Sequence, residues 1–231
     1  MRTVLPAFLF TLALSAPAAA ATRNFGITSF DKIRVEGPYK VTLTTGVAPF
    51  ASATGSQSAL DSVAVDVQGN TLVVHANQSS WGGYPGGSVG PVEIKLGTHD
   101  LTSARLNGSA SLQINKVKSL TFELVIQGSG AASIAQTDVD QLTLGLAGSA
   151  SASLAGRVGK LNAVLRGISS LDASALTTKD AALAIDGAAT VKANISNTAK
   201  IDGSGPATIA LAGNPSCTSK LGGSASVTGC K

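Results

Sequence analysis

Charge is scarce in this 231-residue chain: charged residues make up 13%, and the formal net charge is +4. The basic residues are scattered, with no run of them and no basic cluster interleaved with aromatics, so the electrostatic footprint of a nucleic-acid binder is missing. Aromatic residues are equally few, six Phe, two Tyr and one Trp. A core without large anchors must be filled by Ala, Val, Ile and Leu. That suits thin, regularly layered interiors better than a globule.

Catalytic signatures are absent too. No Gly-x-Ser-x-Gly elbow and no Gly-x-x-x-x-Gly-Lys phosphate loop occurs. His75 and His99 have no partner at metal-ligand spacing. The sequence therefore points to no metal, no cofactor and no catalytic residue.

Long apolar runs are confined to the start. Arg2, then "VLPAFLFTLAL", then "SAPAAAA" have the order of a secretory signal, with cleavage expected after Ala20 or Ala21. The apolar centre is shorter than the roughly 20 residues needed to span a bilayer, and no later segment reaches that length. We therefore expect 1–21 to be a signal peptide and 22–231 to be exported, to the periplasm or to the cell surface and medium. The only two cysteines are Cys217 and Cys230. In an exported chain they are expected to form a disulfide, contributing on the order of 3 kcal/mol through loop closure.

Glycine and serine, by contrast, are abundant and ordered. The phrase "GSAS" occurs at Gly108–Ser111, Gly148–Ser151 and Gly223–Ser226. Rows written from Leu101 align on Gly108, Gly128, Gly148, Gly167, Gly187, Gly203 and Gly223, with spacings of 20, 20, 19, 20, 16 and 20. Two residues before each stands Leu106, Ile126, Leu146, Leu165, Ile185, Ile201 or Leu221. Four residues after each stands Leu112, Ala132, Ala152, Leu171, Val191, Ala207 or Val227. Within rows the pattern alternates, as in "FELVI" and "LTLGL", the period of a strand with one buried face. A period near 20 residues fits one coil of an all-β parallel β-helix, a β-solenoid, with successive coils about 4.8 Å apart and glycine at a corner. A leucine-rich-repeat horseshoe shares the period but lacks its Asn ladder and L-x-x-L-x-L phrase, and a β-sandwich would need the spacing to be coincidental.

Before Leu101 the rhythm is irregular. "FDKIRVEGPYKVTLTTG" alternates, "VAVDVQGNTLVVHA" reads as two strands turning at Gln68–Asn70, and "PVEIKLG" is a further strand. Residues 22–100 are thus expected to form irregular first coils and 101–231 the regular ones. At the far end the Cys217–Cys230 bond would fasten the last coil, where fraying is greatest.

The succession of "FDKIRVEGPYKVTLTTG", "DSVAVDVQGNTLVVHA", "PVEIKLGTHDLTSARLNGSASLQI" and the glycine-punctuated rows resembles the head GIN domain family of auto-transporter adhesins, over roughly Phe25 to Cys230. The resemblance implies an exported right-handed β-helix of the bacterial envelope, with an adhesin-like role and no catalytic residues to carry over.

For a site, the position before each anchor glycine places Arg166, Asp186 and Asp202 on successive coils, facing outward about 5 Å apart. Two carboxylates so placed could act on a glycan as acid and nucleophile, or hold a cation. An exposed ion pair beside a solvated aspartate is the plainer reading. Trp81 and Tyr84, in a glycine-rich loop, could stack on a sugar or a partner, or simply cover the core edge. The expectation is a non-enzymatic, adhesin-like or structural envelope module binding a glycan or an envelope protein. The alternatives are a carbohydrate-active β-helix enzyme, a polysaccharide lyase or hydrolase, and a scaffold that oligomerises through its end coils.

Overall fold

The computed structural model describes residues 20–77 and 90–231. Residues 1–19, which make up most of the expected signal peptide 1–21, and residues 78–89, which include Trp81 and Tyr84, lie outside the described residues. The irregular part contains β1 (Ala21–Phe25), β2 (Lys32–Glu36), β3 (Lys40–Thr45) and β4 (Phe50–Gly55). It continues through the short helix α1 (Gln57–Asp61), β5 (Val63–Gln68), β6 (Thr71–Ala76) and β7 (Glu93–Thr98). The regular part begins at β8 (Ser103–Gly108). It runs through β9 (Ser111–Gly128), β10 (Ala131–Gly148), β11 (Ser151–Gly167), β12 (Ser170–Asp186) and β13 (Thr190–Ser204). Three shorter strands end it: β14 (Thr208–Ala212), β15 (Ser216–Leu221) and β16 (Ser226–Thr228).

Each strand from β8 to β13 pairs in parallel with the next, so the chain is a β-solenoid of stacked coils. Strands of 15 to 18 residues greatly exceed the usual five or six, because each turns corners without leaving the ladder. In β9 the in-out alternation breaks at Asn115–Lys116 and again at Leu120–Thr121, where consecutive side chains point away from the core. The coil is therefore three-sided. Its first side carries Leu112 and Ile114 inward, its short second side Val117, and its third Phe122, Leu124 and Ile126.

The inward residues stack in files. Leu106, Ile126, Leu146, Leu165 and Ile185 follow one another in register, each at most 3% exposed. Each buried aliphatic side chain is worth about 1.5–3 kcal/mol, and a narrow tube lets neighbouring coils share that burial.

The file does not continue as the glycine spacing predicts. Under Ile185 lies Gly203, and under Gly203 lies Leu221, whereas Ile201 sits one file over, beneath Leu183. The cause is a shortened coil. β12 and β13 stay in register to Ala173↔Ala193, then resume at Thr177↔Asn194 and settle at Asp180↔Thr198, so Ser174–Leu176 have no counterparts. The coil falls from 20 residues to 18, and everything downstream moves by two. The corner glycine after Gly187 is Gly205, with φ +88°, while Gly203 faces inward. Likewise Ile209, not Ala207, stands beneath Val191. Leu221 is 44% exposed on the last coil. Its Cδ2 approaches to 3.3 Å from where a Gly203 Cβ would stand, partly filling the gap that glycine leaves.

The irregular region has a threading that alternation alone does not reveal. β2 pairs with β6 on one side and β8 on the other, and β3 likewise with β7 and β9. Residues 32–45 therefore form a coil inserted between one built from β6 and β7 and the first regular coil. Antiparallel strands then end the parallel stack: β5 on β6, β4 on β7, and β1 on β4. The β5–β6 turn falls where expected, with Gly69 at φ +61°. At the other end Cys217 and Cys230 are joined, with Cα atoms 5.6 Å apart.

Candidate functional site

With the inner faces given to the core, chemistry is left to the three outer ones. The third face carries the residues that spacing singles out. Arg166 stands opposite Asp186, as expected. Asp186 stands opposite Ser204, whose hydroxyl donates to its Oδ1 at 3.0 Å. Asp202 lies two residues earlier, between Ala184 and Lys220. The expected column of Arg166, Asp186 and Asp202 is thus broken by the same two-residue shift that moves Ile201. Among the described residues, no ion pair joins Arg166 to either aspartate. Asp202 instead borders a shallow depression of about 290 Å³ with Lys200, Asn162 and Val164, floored by Ala182 and Ala184.

The remaining polar residues of interest lie apart. His75 places Nε2 3.1 Å from Asp66 Oδ2 and Nδ1 2.9 Å from the Ala76 carbonyl, at the edge of the β5–β6 hairpin. His99 sits at a bend where its carbonyl accepts from the Gly46 amide. Among the described residues, no group of three or more His, Cys, Asp or Glu is placed to hold a metal ion.

The first face holds an arrangement that motif searching missed. With Gly205 as the corner, the third residue after every corner glycine falls into one outward column. The column reads Ser111, Ala131, Ser151, Ser170, Thr190, Thr208 and Ser226. A second column runs beside it two residues on, through Gln113, Ser133, Ser153, Asp172 and Lys192. Coil stacking spaces these rows about 4.8 Å apart, and alternation separates the columns by about 6.6 Å. Because Ala131, Ser133, Ser151 and Ser153 are short while Gln113 and Asp172 are longer, the face sinks into a trough of about 350 Å³. Its lining carries hydroxyls, one amide and one carboxylate.

That carboxylate is held in place. The Ser174 hydroxyl donates to Asp172 Oδ1 at 2.6 Å and the Ser174 amide donates to the same oxygen at 3.1 Å. These bonds, the hydroxyl's first, keep the Asp172 carboxyl below its ordinary range, so it is ionised and acceptor-only at neutral pH. Around the corner, Arg157 grips Asp138 through Nε at 2.8 Å and Nη2 at 3.2 Å, lowering that carboxyl also. The signal for the trough was in the sequence as the last serine of "GSAS". It belongs to the corner for packing purposes, and its side chain points out.

Comparison with known proteins places the whole arrangement. Residues 29–215 match the family described as "Putative auto-transporter adhesin, head GIN domain". Among solved structures, a putative adhesin from Bacteroides fragilis superposes with a TM-score of 0.77 at 17% identity, covering 91% of this chain and 95% of that one. A putative lipid binding protein from Parabacteroides distasonis gives 0.67 at 19% identity over 90% and 95% of the two chains. A putative adhesin from Parabacteroides merdae gives 0.67 at 16% identity over the same shares. At such identities the likeness establishes the fold. No curated protein matches the chain. By the family match over most of its length and by its stacked, glycine-cornered coils, the chain belongs to the head GIN domain family.

Proposed function

We propose that this protein is an exported, non-enzymatic binding module of the bacterial envelope, adhesin-like in role, and that the first face of its solenoid holds a neutral glycan. The observation that carries the reading is the trough between Gln113 and Asp172. Its short hydroxyl side chains present donors and acceptors at a regular repeat, which suits a ligand that itself repeats. An ionised, pre-oriented Asp172 accepts from sugar hydroxyls without needing to reorganise. The family's adhesin description supports binding as the role. The signal-like first 21 residues support export, to the periplasm or the surface. Among the described residues, no helix is long and apolar enough to cross a membrane.

A glycan-cleaving enzyme on the third face would need Asp186 and Asp202 to act together, and their two-residue offset removes the direct cross-coil spacing of about 5 Å that an acid-and-nucleophile pair requires. The test is a panel of immobilised polysaccharides scored separately for retention and for release of new chain ends. Retention that falls about tenfold or more in Asp172→Ala, with Arg166→Ala unchanged and no chain ends released, is the expected result. Chain-end release abolished by Asp186→Asn would replace this reading with the enzymatic one. Retention of an envelope protein with no glycan bound would transfer the role to a protein ligand.

A further inference from the structure

The last coil is held differently from the others. From Ser216 to Lys231 no side chain is buried, and only Cys217, Ala225 and Val227 are partly buried against the core. Earlier coils are pinned by files of fully buried aliphatic residues. This one is pinned by backbone ladders, β15 over Thr198–Gly203 and β16 over Thr208–Ala210. It also closes on itself. The Lys231 amide donates to the Pro215 carbonyl at 3.0 Å, and Cys230 is bonded to Cys217. The coil is therefore a ring whose one covalent tie lies within it. It is entered through Gly213 at φ +89° and Asn214 at φ 52°, the one non-glycine residue in the left-handed region among those described. Such a turn is a natural pivot.

What the coil covers is of another character. Beneath it run Ala199, Ile201, Ile209 and Leu211, all at most 7% exposed, on strands whose outer backbone groups are paired only with β15 and β16. Bared, that edge would be a template for further strand pairing. Its occupant is specified by the molecule itself. Residues 216–231 already fit it, in register, at the 18-residue offset of the final coils. A second copy supplies the same sequence, so exchange of the segment would restore each ladder bond that opening breaks.

We propose that the Cys217–Cys230 disulfide is the latch of a releasable end cap. Reducing it frees residues 216–231 while the coils through β14 stay folded, and the bared edge then takes the freed segment of a second copy. The reductant is a dithiol. It supplies two electrons and two protons, the S–S bond breaks to give the Cys217 and Cys230 thiols, and the dithiol leaves as its own disulfide. Because both cysteines belong to the exchanged segment, reoxidation re-forms the bond within that segment, and the dimer carries no cross-link between chains.

The full chain is tested by hydrogen exchange and by mass measurement against concentration, with and without dithiothreitol, beside a Cys217→Ser/Cys230→Ser double variant. On reduction, amides of 216–231 are expected to exchange roughly a hundredfold faster, the factor set by loss of the loop closure, while β9 to β12, which make no ladder bonds to the freed segment, keep their protection. The reduced chain and the double variant then dimerise with rising concentration. Dimer recovered after reoxidation dissociates to single chains on a non-reducing denaturing gel. Unchanged protection in 216–231 would overturn the proposal. So would loss of protection throughout the solenoid, a reduced chain that stays monomeric at all concentrations, or a dimer linked by disulfides.

Discussion

Two glycines three residues apart in β10 offer a stringent test of the corner geometry. Gly148 has φ +92°, and a Cβ added to it would stand 2.6 Å from the Gly128 carbonyl oxygen of the coil above. That atom is backbone, locked in the ladder, and cannot move aside. Gly145 lies mid-strand on the third face with an ordinary φ, and its added Cβ would meet only Val125 methyls at 3.7 Å, a normal contact. Gly148→Ala should cost about 1–2 kcal/mol for the left-handed backbone. A further 1–2 kcal/mol or so for displacing the neighbouring coil brings the total to roughly 2–4 kcal/mol. Gly145→Ala should be neutral or should stabilise by up to about 1 kcal/mol, since glycine weakens a strand interior. For a chain of this size that is a drop of about 6–12 °C against a change of at most about 3 °C the other way. Thermal unfolding followed by circular dichroism reads both. Equal losses in the two variants, or an unharmed Gly148→Ala, would refute the corner reading.

Leu144→Ala, at 1% exposure, should destabilise by about 2–5 kcal/mol. Val164→Ala, at 42% exposure on the outer third face, should fall within about 0.5 kcal/mol, both read by urea titration. Gly203→Val would place a branched side chain in the inner file beneath Ile185. Leu221 Cδ2 stands only 3.3 Å from the Cβ position, so the variant should displace Leu221 and loosen the last coil, seen as faster amide exchange confined to 216–231. Asp180 accepts from the Thr198 hydroxyl and, at 2.7 Å, from Asn197 Nδ2, and both hold its carboxyl low, as Ser174 does for Asp172. A carboxyl whose folded pKa lies below its unfolded value near 4 stabilises fully above that value and less as pH falls through the folded one. The unfolding midpoint should therefore drop as pH falls below about 4, and Asp180→Asn should flatten part of that drop in a pH series.

The solenoid was legible because its determinants are local and repeated. The period of 20, the alternation in "FELVI" and the corner glycines each recur often enough to place Leu106 through Ile185 in one file. The hairpin at Gln68–Asn70 was legible for the same reason, since turn chemistry is written in adjacent residues. Reading failed where the repeat changes length. Within "IDGSG" two glycines compete for one corner, and the sequence favours neither. The choice of Gly205 over Gly203 rests on the net loss of two residues between Ala173↔Ala193 and Asp180↔Thr198, visible only once β13 is laid against β12. That choice moved Asp202 out of the Arg166–Asp186 column and brought Thr208 into the Ser/Thr column.

By itself, then, the order of residues determined that the chain winds, where its coils bend as far as Gly187, and which side chains the interior of those coils takes, because these follow from periodicity along one strand. Only the tertiary structure decided which side chains become neighbours across coils. It decided the insertion of β2 and β3 between coils later in sequence, the trough between Gln113 and Asp172, and the closing of the final ring. Each depends on register between strands, and a shift of two residues preserves every inward and outward assignment along a strand while changing all of its partners.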